Sequence, residues 1–132
     1  MKNISDIRVL FVDDESDTIS GLKRFFRTSP FGKAFAGSGA EALQLLESQG
    51  ADILVTDALM PGMSGIDLVS HAKRRHPELL CMLVTGSNDV GKIVVSAGSG
   101  NIYGYVTKPV DPESFRKNIE SAVNHCRDPH GE

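Results

Sequence analysis

A doubly wound α/β fold, with a five-stranded parallel sheet and five helices, is what the sequence predicts. Three observations carry that expectation. Short runs of branched apolar residues, of which Ile53-Leu54-Val55 is the clearest, read as strands buried on both faces, as in a parallel sheet. Between these runs lie segments whose apolar residues recur at helical spacing. Every crossover from one strand to the next is long enough to hold one helix.

The elements follow in order. Ile7 to Val12 is the first strand and ends in Asp13-Asp14. Ser16 or Asp17 can cap the helix after it, whose inward face is Ile19, Leu22, Phe25 and Phe26 and which should stop near Ser29-Pro30. Lys33 to Ala36 is a short second strand, and Gly37-Ser38-Gly39 a turn. The second helix runs over Ala40 to Gln49, with Ala42, Leu45, Leu46 and Gln49 on one stripe, and Gly50 ends it. The third strand runs into Asp57, and Pro61-Gly62 breaks the chain beyond it. Ile66 to Arg75 is the third helix, with Leu68, Val69 and Ala72 inward, closed by His76-Pro77. Leu79 to Val84 is the fourth strand, leading into Thr85-Gly86.

Asn88 to Ala97 reads as a poor fourth helix, since Gly91 and the run Ile93-Val94-Val95 each disfavour helix by a few tenths to about 1 kcal/mol. Gly98-Ser99-Gly100 closes it. Ile102 to Thr107 is the fifth strand, followed by Lys108-Pro109. Asp111-Pro112-Glu113 opens the last helix with a cap, a first-position proline and an early acid. Phe115, Ile119, Ala122 and Val123 point inward from it. One domain is expected over 1–126, with 127–132 a polar tail or the start of a linker.

Composition narrows the function class. Hydrophobic content of 40% and charged content of 23% in 132 residues fit one globular domain with a sizeable core. A net charge of −3 gives no footprint for nucleic acid, and no apolar run reaches the ~20 residues that span a bilayer. The first residues carry no apolar signal region, so a cytoplasmic location is expected. Cys81 and Cys126 read as reduced thiols, and the four histidines show no zinc-ligand spacing.

The chemistry lies at the strand ends. A doubly wound sheet points all its strand tips to one edge, where ligands bind. The tips here present Asp13 and Asp14, then Asp57, Thr85 and Lys108. Taken singly, each has a plain structural role: the paired acids as helix caps, Asp57 and Thr85 as turn residues, Lys108 as surface. Together they imply more. Two carboxylates about 4 Å apart repel by on the order of 4 kcal/mol at an effective dielectric near 20, so a cluster of three calls for a cation. All-oxygen ligands without Cys or His favour a hard ion, and Mg²⁺ suits an open site that keeps waters. Acids, a hard cation, a lysine and a hydroxyl around one central carboxylate make a phosphoryl-binding apparatus.

These residues, with Met60-Pro61-Gly62-Met63-Ser64-Gly65 after Asp57 and Pro109 after Lys108, resemble the receiver domain of two-component response regulators over nearly the whole chain. The resemblance implies a flavodoxin-like, receiver-type sheet and a phosphorylation-activated signalling switch that is not an enzyme in its own right. Asp57 would accept a phosphoryl group from a sensor histidine kinase or phosphotransfer protein. Asp14, Asp57 and the backbone carbonyl of Leu59 would ligate Mg²⁺ directly, with Asp13 acting through water. Thr85 and Lys108 would contact the phosphoryl oxygens, and Tyr105 would be the rotating switch aromatic. The change would reshape a partner face made by the fourth and fifth expected helices and the fifth strand. That face would serve an output domain, a downstream protein or a phosphorylation-dependent homodimer. A marginal fourth helix would ease the shift.

Two departures stand out. Ala97 to Gly104 is longer than the short turn common there, which would alter the partner face. Leu59 and Ser87 border the path of attacking water, and an apolar Leu59 implies slow self-hydrolysis. Three other readings compete. Gly37-Ser38-Gly39-Ala40-Glu41-Ala42 fits a dinucleotide fingerprint with Asp57 as the ribose acid, but leaves Asp13-Asp14 and Lys108-Pro109 unexplained. An aspartyl-nucleophile phosphohydrolase would want Thr or Val where Asp17 stands. A receiver-like docking module that is never phosphorylated would not need the full acid set.

Overall fold

The computed structural model describes residues 3–86 and 101–127. A short 3-10 turn (Ile4–Asp6) leads into β1 (Arg8–Val12), α1 (Ser16–Phe25), β2 (Gly32–Ala36), α2 (Gly39–Ser48), β3 (Ile53–Asp57), α3 (Gly65–Arg75), β4 (Leu80–Gly86), β5 (Gly104–Lys108) and α4 (Pro112–Arg127). The strands form one parallel sheet in the order β2-β1-β3-β4-β5. The expected architecture is therefore present, with four helices among the described residues. The helix expected over Asn88–Ala97, its weak positions Gly91 and Ile93–Val95, and Ser87 lie outside the described residues. So does the first half, Ala97–Gly100, of the long Ala97–Gly104 stretch.

Strand alternation splits the core into two layers. Leu10, Leu54, Cys81 and Leu83 pack against Ala42 and Leu46 of α2 and Leu68, Val69 and Ala72 of α3. Val9, Phe11, Val55 and Met82 pack on the other face against Phe26, at the end of α1, and Phe115, Ile119, Ala122 and Val123 of α4. Leu54 and Leu83 are wholly buried, each stabilising the fold by roughly 1.5–3 kcal/mol. All five residues of β3 are buried, its terminal carboxylate included.

Several boundaries differ from expectation. Neither Ser16 nor Asp17 caps α1; both lie in its first turn, and Glu15 occupies the cap position without a side-chain cap bond. The Glu15 amide instead donates to Asp13 Oδ1 (2.9 Å), which starts the helix one residue earlier. α1 also ends at Phe25, because Phe26 turns away from helix to fill the core. β5 begins at Gly104 and runs through Lys108, whereas Ile102 to Thr107 was expected. Arg127, assigned to the polar tail, closes α4; residues 128–132 lie outside the described residues. The caps of α2 and α3 are serines: Ser38 and Ser64 accept from the amides of Glu41 and Asp67. Gly50, at φ 77°, ends α2 in the left-handed conformation glycine favours.

Burial pushes the Cys81 thiol up to about 12, with Lys73 opposing weakly. The thiolate is the reactive form. Iodoacetamide at mildly alkaline pH should therefore leave Cys81 unmodified in the native protein and label it only after unfolding. Equal labelling of native and denatured chains by peptide mass analysis would contradict this burial.

Candidate functional site

Four sequence segments meet at the carboxyl edge of the sheet. β3 ends at Asp57, paired in register with Val84 of β4, so the next residue of β4 is Thr85. Thr85 is paired with Thr107 of β5, and Gly86 with Lys108. β1 ends one residue before Asp13, whose amide donates to Ala36 O at 3.2 Å. This shared register, rather than any single loop, gathers the candidate residues at one edge.

Carboxylate oxygens of Asp13, Asp14 and Asp57 all lie within 4.8 Å of one another. Asp57 and Asp13 are buried, and Asp14 is exposed. Lys108 Nζ reaches Asp57 Oδ2 at 3.1 Å across 51 residues of sequence. The Leu59 amide donates to Asp57 Oδ1 at 3.3 Å, while the Leu59 side chain stands 62% exposed at the rim. The Lys108–Pro109 peptide bond is cis.

Desolvation raises the Asp13 carboxyl above its ordinary value, and the charges of Asp57 and Asp14 add to it. The Glu15 amide and Lys108 oppose the rise. A partly desolvated acid held among like charges gains from a cation, and one lysine does not balance three carboxylates. The donor set is all oxygen, which fits a hard divalent ion of the Mg²⁺ class.

Thr85 is buried, its hydroxyl donating to Gly86 O at 3.4 Å. Tyr105 is half-buried against the core layer of α2 and α3. By alternation Thr85 falls on that same face, with Cys81 and Leu83, while Lys108 falls with Val84 and Val106 on the α1/α4 face. All the candidate residues lie on β3, β4, β5 or the chain just after β1 and β3.

Two contributors were not assigned roles from sequence. Glu15 acts through its amide, which orients Asp13 and leaves no side-chain signal. Gly65, which opens α3, touches the backbone beneath Asp57. A Cβ there would overlap the Asp57 carbonyl oxygen and lie 2.9 Å from Ala58 Cα. The signal for it was the glycine directly after a capping serine, but what it approaches is a tertiary fact.

The glycine-rich turn before α2 serves a different end from the dinucleotide reading. Ser38 caps the helix, Glu41 Oε1 accepts from the Gly37 amide at 2.7 Å, and the space over Gly39 is taken by Met63, 2.7 Å from a Cβ built there. These groups form a capping arrangement, and the close approach a pyrophosphate needs is filled.

The family model for the response regulator receiver domain matches residues 9–120. The chemotaxis protein CheY of Pseudomonas aeruginosa is 37% identical over 117 residues, covering 86% of this chain and 94% of that protein. The DNA-binding transcriptional regulator NtrC of Escherichia coli K12 is 32% identical over 120 residues, 91% of this chain. The chain spans only about a quarter of the length of NtrC (25%). Among solved structures, a signal receiver domain of an HD domain-containing protein from Pseudomonas fluorescens is 29% identical, with a TM-score of 0.83 over 91% of this chain and 96% of that one. A two component transcriptional regulator AraC from Clostridium phytofermentans is 26% identical, with a TM-score of 0.85 over 96% and 100%.

Proposed function

The chain belongs to the response regulator receiver domain family of two-component signalling, and from that membership we propose that Asp57 is its phosphoacceptor. A histidine kinase or phosphotransfer protein would be the donor. The observation that carries the reading is the buried Asp57 carboxylate, held 3.1 Å from Lys108 Nζ and within 4.8 Å of two further acids. A carboxylate oxygen of Asp57 attacks the phosphorus of a phosphohistidine. The O–P bond forms as the P–N bond breaks, and the imidazole nitrogen keeps the electron pair.

Lys108 holds Asp57 before transfer and turns to a phosphoryl oxygen after it. Asp13, Asp14, Asp57 and the Leu59 carbonyl are the groups that would hold Mg²⁺, with Asp13 acting through water. When bound, the ion supplies charge neutralisation for the phosphoryl oxygens. Phosphorylation adds roughly −1.5 to −2 charges and three acceptor oxygens at Asp57. The Thr85 hydroxyl turns toward these oxygens, and Tyr105, on the same face of the sheet, moves inward behind it. Driving such a switch from 1:99 to 99:1 takes about 5.5 kcal/mol of differential stabilisation.

The partner face would comprise residues 88–97, β5 and α4, serving an output domain, a downstream protein or a second copy. A cytoplasmic setting is part of the proposal. No helix among the described residues is long and apolar enough to cross a membrane. Incubation with acetyl phosphate and magnesium should add one phosphoryl group at Asp57, found by peptide mass analysis after borohydride trapping. No increment under those conditions, with the protein folded, would overturn the reading.

Leu59 leads to a kinetic expectation. Its apolar side chain at the rim cannot orient an attacking water, so the acyl phosphate should be long-lived. Leu59→Asn should lose phosphate several-fold faster; faster loss from the unsubstituted protein refutes the role.

The raised Asp13 carboxyl adds a pH dependence with a definite sign. A carboxyl whose folded value lies above its unfolded one costs the fold nothing below the unfolded value. The cost grows as pH rises through the folded value. A divalent cation relieves it. Saturating magnesium should stabilise by on the order of 1–3 kcal/mol near neutral pH and by much less near pH ~4, where protons compete. Equal magnesium shifts in thermal midpoint at both would sink this account of Asp13.

A further inference from the structure

Between α1 and the chain entering α4 lies a cleft of about 530 Å³. Its walls are apolar: Leu22 and Phe25 from α1, Val110 and Phe115 opposite, and Phe11 and Val55 at the floor. Two positions on α1 that line it are small. Gly21 sits in mid-helix, where glycine weakens the element, and a Cβ built on it meets nothing within 4 Å. Thr18, one turn earlier, is exposed. A Cβ would fit at Gly21 without collision, so the helix leaves space open there at a cost to itself. An open apolar cleft of this size with a few polar groups at one end has the form of a small-molecule site.

Charge at that end selects the ligand. Among the described lining residues the rim carries the carboxylates of Asp13, Glu15 and Asp57 and one cation, Lys108, already 3.1 Å from Asp57. Three negative charges against one positive repel an anionic head and attract an ammonium, while the apolar walls exclude a fully hydrated ion as sole occupant.

We propose that this cleft binds a small aromatic or branched apolar amine, its body between α1 and α4 and its ammonium against the rim carboxylates. Occupancy sets the amine in competition with a divalent cation for Asp13 and Asp57, so the site reports a small molecule to the phosphoacceptor edge. Binding is a property of the unphosphorylated chain and is read without phosphoryl transfer, so its failure and that of Asp57 phosphorylation are separable.

The test is a nuclear magnetic resonance titration of the full chain in magnesium-free buffer. The probes are 2-phenylethylamine and the equally sized anion 3-phenylpropionate. The amine should give saturable shifts at Gly21, Phe25 and Val110 and bind at least about tenfold more tightly than the acid. Magnesium should weaken it. Gly21→Leu, which places an isobutyl group at the cleft wall, should lose at least about tenfold in affinity while still taking a phosphoryl group from acetyl phosphate. Thr18→Leu substitutes for it should its melting curve show misfolding. Absence of saturable shifts, equal binding of the anion, or undiminished binding to the substituted chain each overturns the proposal. So does a result in which neither probe binds and Gly21→Leu blocks transfer only from a kinase, which makes the cleft a groove for protein docking.

Discussion

Asp57→Asn should abolish covalent phosphoryl uptake from acetyl phosphate while leaving the fold intact. The amide keeps the size of the side chain and its acceptor oxygen for the Leu59 amide (3.3 Å in the unsubstituted protein), but it has no anionic oxygen to attack phosphorus. The same change should move stability little in the absence of a divalent cation. At separations of up to 4.8 Å, each of the repulsions from Asp13 and Asp14 is on the order of 3 kcal/mol at an effective dielectric near 20. The attraction to Lys108 at 3.1 Å is on the order of 5 kcal/mol by the same reckoning. That attraction must be discounted, since the lysine side chain is 45% exposed. The repulsion from Asp14 is discounted likewise, since that residue is exposed, so attraction and repulsion nearly offset and the variant's stability in magnesium-free buffer should stay within about 1 kcal/mol of the unsubstituted protein's. It should also gain less from magnesium. A phosphoryl increment that persists in the variant would move the acceptor to another acid of the cluster.

Gly65→Ala is the second large effect. The atoms nearest to a carbon added at this glycine are all backbone: the Asp57 carbonyl oxygen and carbon and Ala58 Cα, the last at 2.9 Å. A flexible side chain could swing aside, but here β3 or α3 must move. The Gly65 amide also donates to Ala58 O at 2.9 Å, so displacement breaks the bond that ties the helix to the strand end. Overpacking costs about 1–3 kcal/mol, and the upper end is expected where the obstacle is main chain. The urea midpoint should fall accordingly with an unchanged slope. Phosphoryl uptake should slow in the fraction that remains folded, because the displaced atoms belong to Asp57 itself. An unchanged midpoint would mean that the approach of α3 to β3 is looser than described.

Much of this molecule could be read from local pattern. β3 reads as a buried strand because Ile53, Leu54 and Val55 are consecutive and apolar, and all five of its residues are buried. The inward faces of α3 and α4 follow from spacing alone, and Phe115, Ile119, Ala122 and Val123 are all buried. The start of α1 was misread because its residues Ser16 and Asp17 are good caps in isolation. The Asp13 carboxylate, one strand-end earlier, fixes the Glu15 amide instead. Thr18 and Gly21 carried no signal, since a small residue on a helix face is unremarkable until the opposite wall is known.

The sequence by itself determined the order of elements, the acids and lysine at the strand tips, and the two-faced character of the sheet. Those properties depend on neighbours a few residues apart. Only the tertiary structure decided which acid is buried and which exposed, that Lys108 reaches Asp57, that α3 rests on the strand through Gly65, and that α1 and α4 leave a cleft between them. Each of these is a distance between segments far apart in the chain, set by strand register and by how two layers of side chains fill the space between helix and sheet.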